Sequence, residues 1–165
     1  MYNYEMVNDE RVEAQVGFFL KSRKLKLAVA ESCTGGLACH YLTNITGSSD
    51  YFLGGIISYA NDSKEKLLGV TADTLVVYGA VSQETVIEMA QGTRHIFNAD
   101  IALSISGIAG PGGGTKEKPV GLTYIGLCDS SHELAWRHVW QGDRLFIKEQ
   151  AAKTALQHLL DFLIR

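Results

Sequence analysis

Cysteine is scarce in this 165-residue chain: Cys33, Cys39 and Cys128 are too few and too irregularly spaced for a disulfide framework. Their odd number leaves at least one thiol unpaired within the chain, and reduced thiols are expected. Long apolar runs are also missing, since no stretch approaches the ~20 residues of a membrane-spanning helix. The start, Met1-Tyr2-Asn3-Tyr4-Glu5, lacks the basic opening and apolar core of a secretory signal. A cytoplasmic protein with no membrane partner is the expectation. Runs of like charge are absent as well; 15 Lys+Arg against 18 Asp+Glu give a net charge of −3, without the basic footprint that nucleic-acid binding requires. With two prolines, no internal repeat and no Pro/Ser-rich linker, residues 1–165 read as a single domain.

What is present suffices for a core: 46% of residues are hydrophobic and 20% charged, close to the soluble globular average. Glycine is the outlier, at 17 residues, six of them between Gly107 and Gly121. Elsewhere helix-like and strand-like patterns alternate. A first helix capped by Asn8 or Asp9 carries Val12, Val16, Phe19 and Leu20 on one face. A buried strand, Leu25–Ala30, leads into Glu31-Ser32-Cys33-Thr34-Gly35-Gly36 and a helix through Leu37, Tyr41, Leu42 and Ile45. A strand over 54–59 precedes a short helix containing Lys64, Leu67 and Leu68. Ser82 caps a helix with Val86, Met89, Ala90, Thr93, Ile96 and Phe97 inward. Strand 101–106 enters the Gly-rich loop, and strands 121–128 and 134–141 form a hairpin about Asp129–His132. Asp143 caps a final helix that buries Leu145, Ala152, Leu156, Leu159, Leu160 and Leu163. The pattern predicts an α/β protein, a three-layer α/β/α arrangement whose mixed, mostly parallel sheet ends in an antiparallel hairpin.

Two strand ends could carry chemistry. At Ser32-Cys33-Thr34-Gly35-Gly36 a helix starts on a strand, offering unpaired N–H donors and partial positive charge to a phosphate or a developing oxyanion. The plainer reading is a capped helix behind a tight turn. Ser106-Gly107-Ile108-Ala109-Gly110-Pro111-Gly112-Gly113 leaves another strand, and ligands of open α/β sheets bind beyond the carboxyl ends of strands. Here the plainer reading is a mobile surface loop. Neither loop carries a nucleotide-binding fingerprint. None of the five histidines lies in a metal-ligating pattern, so no protein-bound metal is expected. Cys33 is a candidate nucleophile if the helix end lowers its pKa, or else a packing residue. Taken alone, Tyr59 and Lys64 read as a half-buried aromatic and a solvated charge. Arg144 opens the last helix, where the dipole disfavours a cation, which hints at a ligand or an ion pair.

Taken in order, Ala30-Glu31-Ser32-Cys33-Thr34-Gly35-Gly36, Thr46-Gly47-Ser48-Ser49 with Phe52, Tyr59-Ala60-Asn61 with Lys64, Gly79-Ala80-Val81-Ser82, Ser104–Gly113 with Lys118-Pro119-Val120-Gly121, and Gly142-Asp143-Arg144 resemble the C-terminal domain of the CinA competence/damage-inducible family. The resemblance runs from about Val12 to Leu160. Gly114–Glu117 and Gln141 depart from the family pattern, and neither touches Ser32. For a chain of this domain only, the resemblance implies a nicotinamide-nucleotide amidase. Such an enzyme converts the carboxamide of nicotinamide mononucleotide to carboxylate and ammonia, with no metal and no cofactor. It further implies Ser32 as nucleophile, Lys64 as base and Tyr59 as proton relay or orienting group. The N–H groups of Thr34-Gly35-Gly36 would hold the oxyanion. Ser106, Gly107, Gly110, Gly112 and Gly113 would cradle ribose or phosphate, with Arg144 as phosphate partner. Which loop holds which end of the substrate stays open. A homo-oligomer is expected, and the alternative function is a non-catalytic nucleotide-binding or protein-interaction module.

Overall fold

The computed structural model describes residues 10–165. Five strands form one sheet in the order β2-β1-β3-β4-β5: β1 Leu27–Glu31, β2 Phe52–Ile57, β3 Ile101–Gly107, β4 Leu122–Cys128 and β5 Glu133–Val139. β1 pairs in parallel with β2 and with β3, whereas β4 is antiparallel to both β3 and β5. Four of the five strands thus run one way, and the sheet is mixed with a terminal hairpin, as the sequence pattern predicts.

Helices α1 Val12–Ser22, α2 Leu37–Thr43 and α6 Arg144–Leu163 share one face. On the other face α5, Gln83–Phe97, packs with the shorter α3 Asn61–Leu68 and α4 Ala72–Val77. The period of two along the strands explains the layering. Leu27 and Val29 of β1, with Leu103 and Ile105 of β3, point into a large core shared with Val16, Leu20, Ile147, Leu156 and Leu159. Their small neighbours Ala30 and Ala102 face α5, whose Met89 and Ala90 fill the thinner second core. Small side chains on that face bring α5 close to the sheet. A Cβ at Gly126 would meet the Val86 carbonyl at 2.6 Å, and one at Gly92 would overlap the Leu68 carbonyl. The second contact presses α3 onto α5 and so fixes the helix that carries Lys64.

Three expectations change. The caps read at Asn8 or Asp9 lie outside the described residues, and α1 begins at Val12 behind Arg11. The segment before the Ser82 cap, to which the sequence pattern assigns no element, holds α4, a helix of six residues and less than two turns. Its start was readable, because the Thr71 side chain accepts from the Thr74 N–H. Leu145 is 74% exposed, although it shares a helix face with Ala152 and Leu156. It sits a turn and more ahead of them, past the core and on the rim of a cavity. Ile96, at the margin of the apolar face of α5, is exposed too. Among the described residues no helix is long and apolar enough to cross a membrane.

Candidate active site

Ser32 is the first residue beyond β1, and its N–H donates to the Ile105 carbonyl of β3 at 2.9 Å. The parallel ladder therefore carries the serine to the carboxyl edge of the sheet. Directly before it, the buried carboxylate of Glu31 accepts the N–H groups of Gly36, Ala38 and Cys39 at 3.0, 3.2 and 2.8 Å. Those are the orphan donors of the α2 N-terminus. Glu31 satisfies them and ties the turn to the strand end. Gly36 allows this closure with φ of +100°, a value few other residues adopt.

Lys64 projects from the first half of α3 and is only 1% exposed. Its Nζ lies 3.0 Å from Ser32 Oγ and donates to the Ser58 carbonyl at 2.7 Å. No carboxylate pairs with it among the described residues. Burial therefore disfavours its charged form and lowers its pKa to about 8. At pH 7 about one molecule in ten carries the free amine in contact with the hydroxyl.

Ser32 and Lys64 line a cavity of about 270 Å³ with Cys33, Tyr59, Ala80, Val81, Arg144 and the loop from Ser106 to Gly113. Arg144 donates through Nη1 to the Gly110 carbonyl and through Nη2 to the Tyr59 hydroxyl, both at 2.7 Å. The cation that opens α6 thus holds the Gly-rich loop and the tyrosine together, which accounts for its place against the helix dipole. Asp143 caps the same helix by accepting from the Phe146 N–H. Ser106, buried, spends its hydroxyl on the Ala80 carbonyl at 2.6 Å and so joins β3 to the opposite wall. Lys118 braces that wall from outside, donating to the Tyr78 and Val81 carbonyls.

Ser32, Tyr59, Lys64, Ser106, Gly107, Gly110, Gly112, Gly113 and Arg144 therefore meet at one cavity. Thr34, Gly35 and Gly36 do not; they line a neighbouring cavity of about 320 Å³ with Leu37, His40, Leu145 and Lys148. Two of the amides expected to hold the oxyanion are spent elsewhere: Gly36 N–H goes to Glu31, and Gly35 N–H to the Ser32 carbonyl at 3.1 Å. Tyr59 reaches Arg144 rather than Ser32, and its ring is exposed. Cys33 is no nucleophile, since burial pushes its thiol up to about 12. Glu31 and Lys118 escaped the sequence reading as site residues, although both lay inside quoted motifs.

Fold and site together define an α/β domain with a buried serine–lysine pair at the carboxyl edge of a mixed sheet. The chain belongs to the CinA family, for the model of the CinA C-terminal domain matches residues 9–163. It is 48% identical over 157 residues to a CinA-like protein of Thermotoga maritima, covering 95% of this chain and 38% of that protein. A CinA-like protein of Chloroherpeton thalassium is also 48% identical, over 159 residues, with 94% and 38% covered. The chain thus spans less than two fifths of the length of these relatives. Among solved structures, a competence-damaged protein (CinA) superfamily protein from Klebsiella pneumoniae superposes with a TM-score of 0.90 at 32% identity, covering 93% of this chain and 96% of that one. The competence/damage inducible protein CihA from Agrobacterium tumefaciens gives 0.87 at 36% identity, with 93% and 94% covered.

Proposed function

We propose that the chain is a serine amidase that hydrolyses the carboxamide of nicotinamide mononucleotide to nicotinate mononucleotide and ammonia. The observation that carries the reading is the direct contact between Ser32 Oγ and a buried Lys64 amine of lowered pKa, inside a cavity open to a small ligand. A lysine beside a serine hydroxyl serves as its base only when it is neutral near working pH, and burial provides that condition here.

In the first step neutral Lys64 takes the Ser32 proton while Oγ bonds to the amide carbon. The resulting ammonium then returns a proton to the amide nitrogen, the C–N bond breaks and ammonia leaves, which regenerates the free amine. Water attacks the acyl–serine ester with Lys64 again as base, the Oγ–carbon bond breaks, and the nicotinate and Ser32 hydroxyl are released. The Ser58 carbonyl holds the amine in place through both half-reactions. Tyr59, fixed by Arg144, orients the substrate at the cavity mouth.

Ammonia release from nicotinamide mononucleotide, measured for the chelator-treated protein beside Ser32→Ala, tests the reading. Turnover that vanishes in the variant while the nucleotide still binds is the expected result. Binding without ammonia from the wild-type protein would instead support a non-catalytic nucleotide-binding module.

A further inference from the structure

His138 on β5 and His158 on α6 bring their Nε2 atoms to 2.8 Å from each other. Each ring lies flat against a tryptophan. Trp136 stacks on His158 with the two planes 6° apart, and Trp140 stacks on His138 with the planes 15° apart. The imidazoles are thus held in place in the absence of any ligand, and little side-chain freedom remains to be lost on binding one. Neither Nδ1 has a hydrogen-bond partner among the described residues. Each Nδ1 can therefore carry its ring's proton while Nε2 offers a lone pair.

Two such nitrogens this close repel unless a proton or a metal ion joins them. In the metal-free chain one shared proton does so. Imidazole nitrogens lie about 2.0–2.1 Å from a bound transition-metal ion. Adjacent corners of a square-planar or tetragonal site then put two nitrogens about 2.8–3.0 Å apart, against about 3.3–3.4 Å for a tetrahedral one. The observed separation fits the tetragonal ion with neither ring displaced. Local charge agrees with a cation: Asp161 follows His158 by three residues on α6 and acts on its ring, with Oδ1 held by Gln157. Arg137, next to His138 in sequence, points to the opposite face of β5. No third His, Cys, Asp or Glu completes a cluster among the described residues, so solvent supplies the remaining ligands. Both imidazoles are only half-buried, which leaves the ion a way in.

We infer that His138 and His158 form a two-imidazole site for a divalent transition metal of tetragonal preference, Cu(II) ahead of Ni(II), and that the bound ion clips α6 to β5. Neither histidine lines the catalytic cavity, and the inference does not rest on the amidase reading. The ligands stand 20 residues apart on two elements, so no spacing motif announces them. The sequence-based expectation of no bound metal rests on such motifs and does not reach this pair.

Cu²⁺ and Ni²⁺, titrated into the full untagged chain after chelator treatment, are the probes. The chain's only two tryptophans both stack on the ligand rings, so their emission reports the site directly. Cu²⁺ should quench it to an end point at one equivalent, and Ni²⁺ should occupy the same site more weakly. His138→Gln and His158→Gln should each weaken Cu²⁺ binding by more than the roughly 10- to 100-fold that loss of an outer-shell partner costs. His95→Gln, at an exposed histidine of α5, should leave it unchanged. Electron paramagnetic resonance of the wild-type Cu²⁺ complex needs no variant, and it should show a tetragonal spectrum coupled to two imidazole nitrogens. The site is overturned by an absence of quenching at one equivalent or by quenching that survives in both ligand variants. An equal loss of binding in His95→Gln, or a spectrum with one coupled nitrogen or none, overturns it as well.

Discussion

Lys64 Nζ touches Ser32 Oγ at 3.0 Å from an element that pairs with no strand, 32 residues further along the chain. The contact exists because α3 is pressed onto α5 at Gly92, where any side chain would collide with the Leu68 carbonyl. A buried ammonium without a carboxylate is a poor structural choice and a good chemical one. Its burial costs stability and favours the free amine.

Replacing Lys64 with Met separates those two effects. The shift from 10.5 to about 8 corresponds to roughly 3 kcal/mol held against the charged form at neutral pH. Met removes that burden but leaves the Ser58 carbonyl unpaired, at a cost of about 1–3 kcal/mol. Lys64→Met should therefore unfold in urea no more easily than wild type at pH 7, while amide turnover falls about 10²- to 10⁴-fold. A variant that is strongly destabilised, or one that keeps its rate, contradicts this account.

The rate should follow Lys64 ionisation. With the free amine of Lys64 as the proposed base, kcat/KM should rise with pH through a limb near 8 and level off above it. Stability follows the same group: the folded pKa lies below the unfolded 10.5, so the unfolded chain binds more protons between the two values. The Lys64 contribution to stability accordingly grows as pH rises from about 8 toward 10.5 and is lost as pH falls through 8. A rate that is flat between pH 6 and 9 in steady-state assays would rule out this lysine as base.

Glu31 should matter out of proportion to its distance from the substrate. Its two oxygens accept three amides, and Glu31→Gln replaces one acceptor with an NH₂ that faces N–H donors. A loss of about 2–4 kcal/mol in denaturant unfolding is expected. A drop in kcat larger than the change in KM should accompany it, because the Ser32 turn loses its anchor. Glu31→Ala, which removes the repulsion as well as the acceptors, checks that the effect is positional.

The layers, the hairpin and the Ser82 and Asp143 caps were legible because each follows from local periodicity or from one side chain bonding three residues on. The Gly-rich loop was legible as a site because β3 had to end there. Hidden from the sequence was everything decided by long-range burial. Nothing local in Asn61-Asp62-Ser63-Lys64 says that the lysine turns inward while Lys66 pairs with Asp62 in solvent. The α2 N-terminus looked like an anion site because its donors can be read locally, whereas the identity of the group that fills them depends on how Glu31 folds back. Likewise Leu145 satisfied the helical period, but the sheet ends before reaching it.

One cluster far from the cavity gives an optical test of the fold. His138 on the edge strand β5 and His158 on α6 share a contact between their Nε2 atoms at 2.8 Å, so one of the two donates and the pair cannot hold two protons comfortably. His158 stacks on Trp136 with ring centroids 4.2 Å apart, and His138 on Trp140 at 5.0 Å; these are the only two tryptophans of the chain. Burial lowers both histidine pKa values, and His138 adds to the shift at His158, while Asp161 acts weakly in the opposite sense. With folded values below the unfolded one, their stabilisation is present above about pH 6.5 and is lost as pH falls through the folded values. Acidification from pH 7 to 5 should therefore quench tryptophan fluorescence through the charged imidazoles and lower the melting temperature together. In His158→Gln the component at Trp136 should disappear. Fluorescence that stays constant down to the onset of global acid unfolding would show that the stacked pair does not titrate in the folded chain.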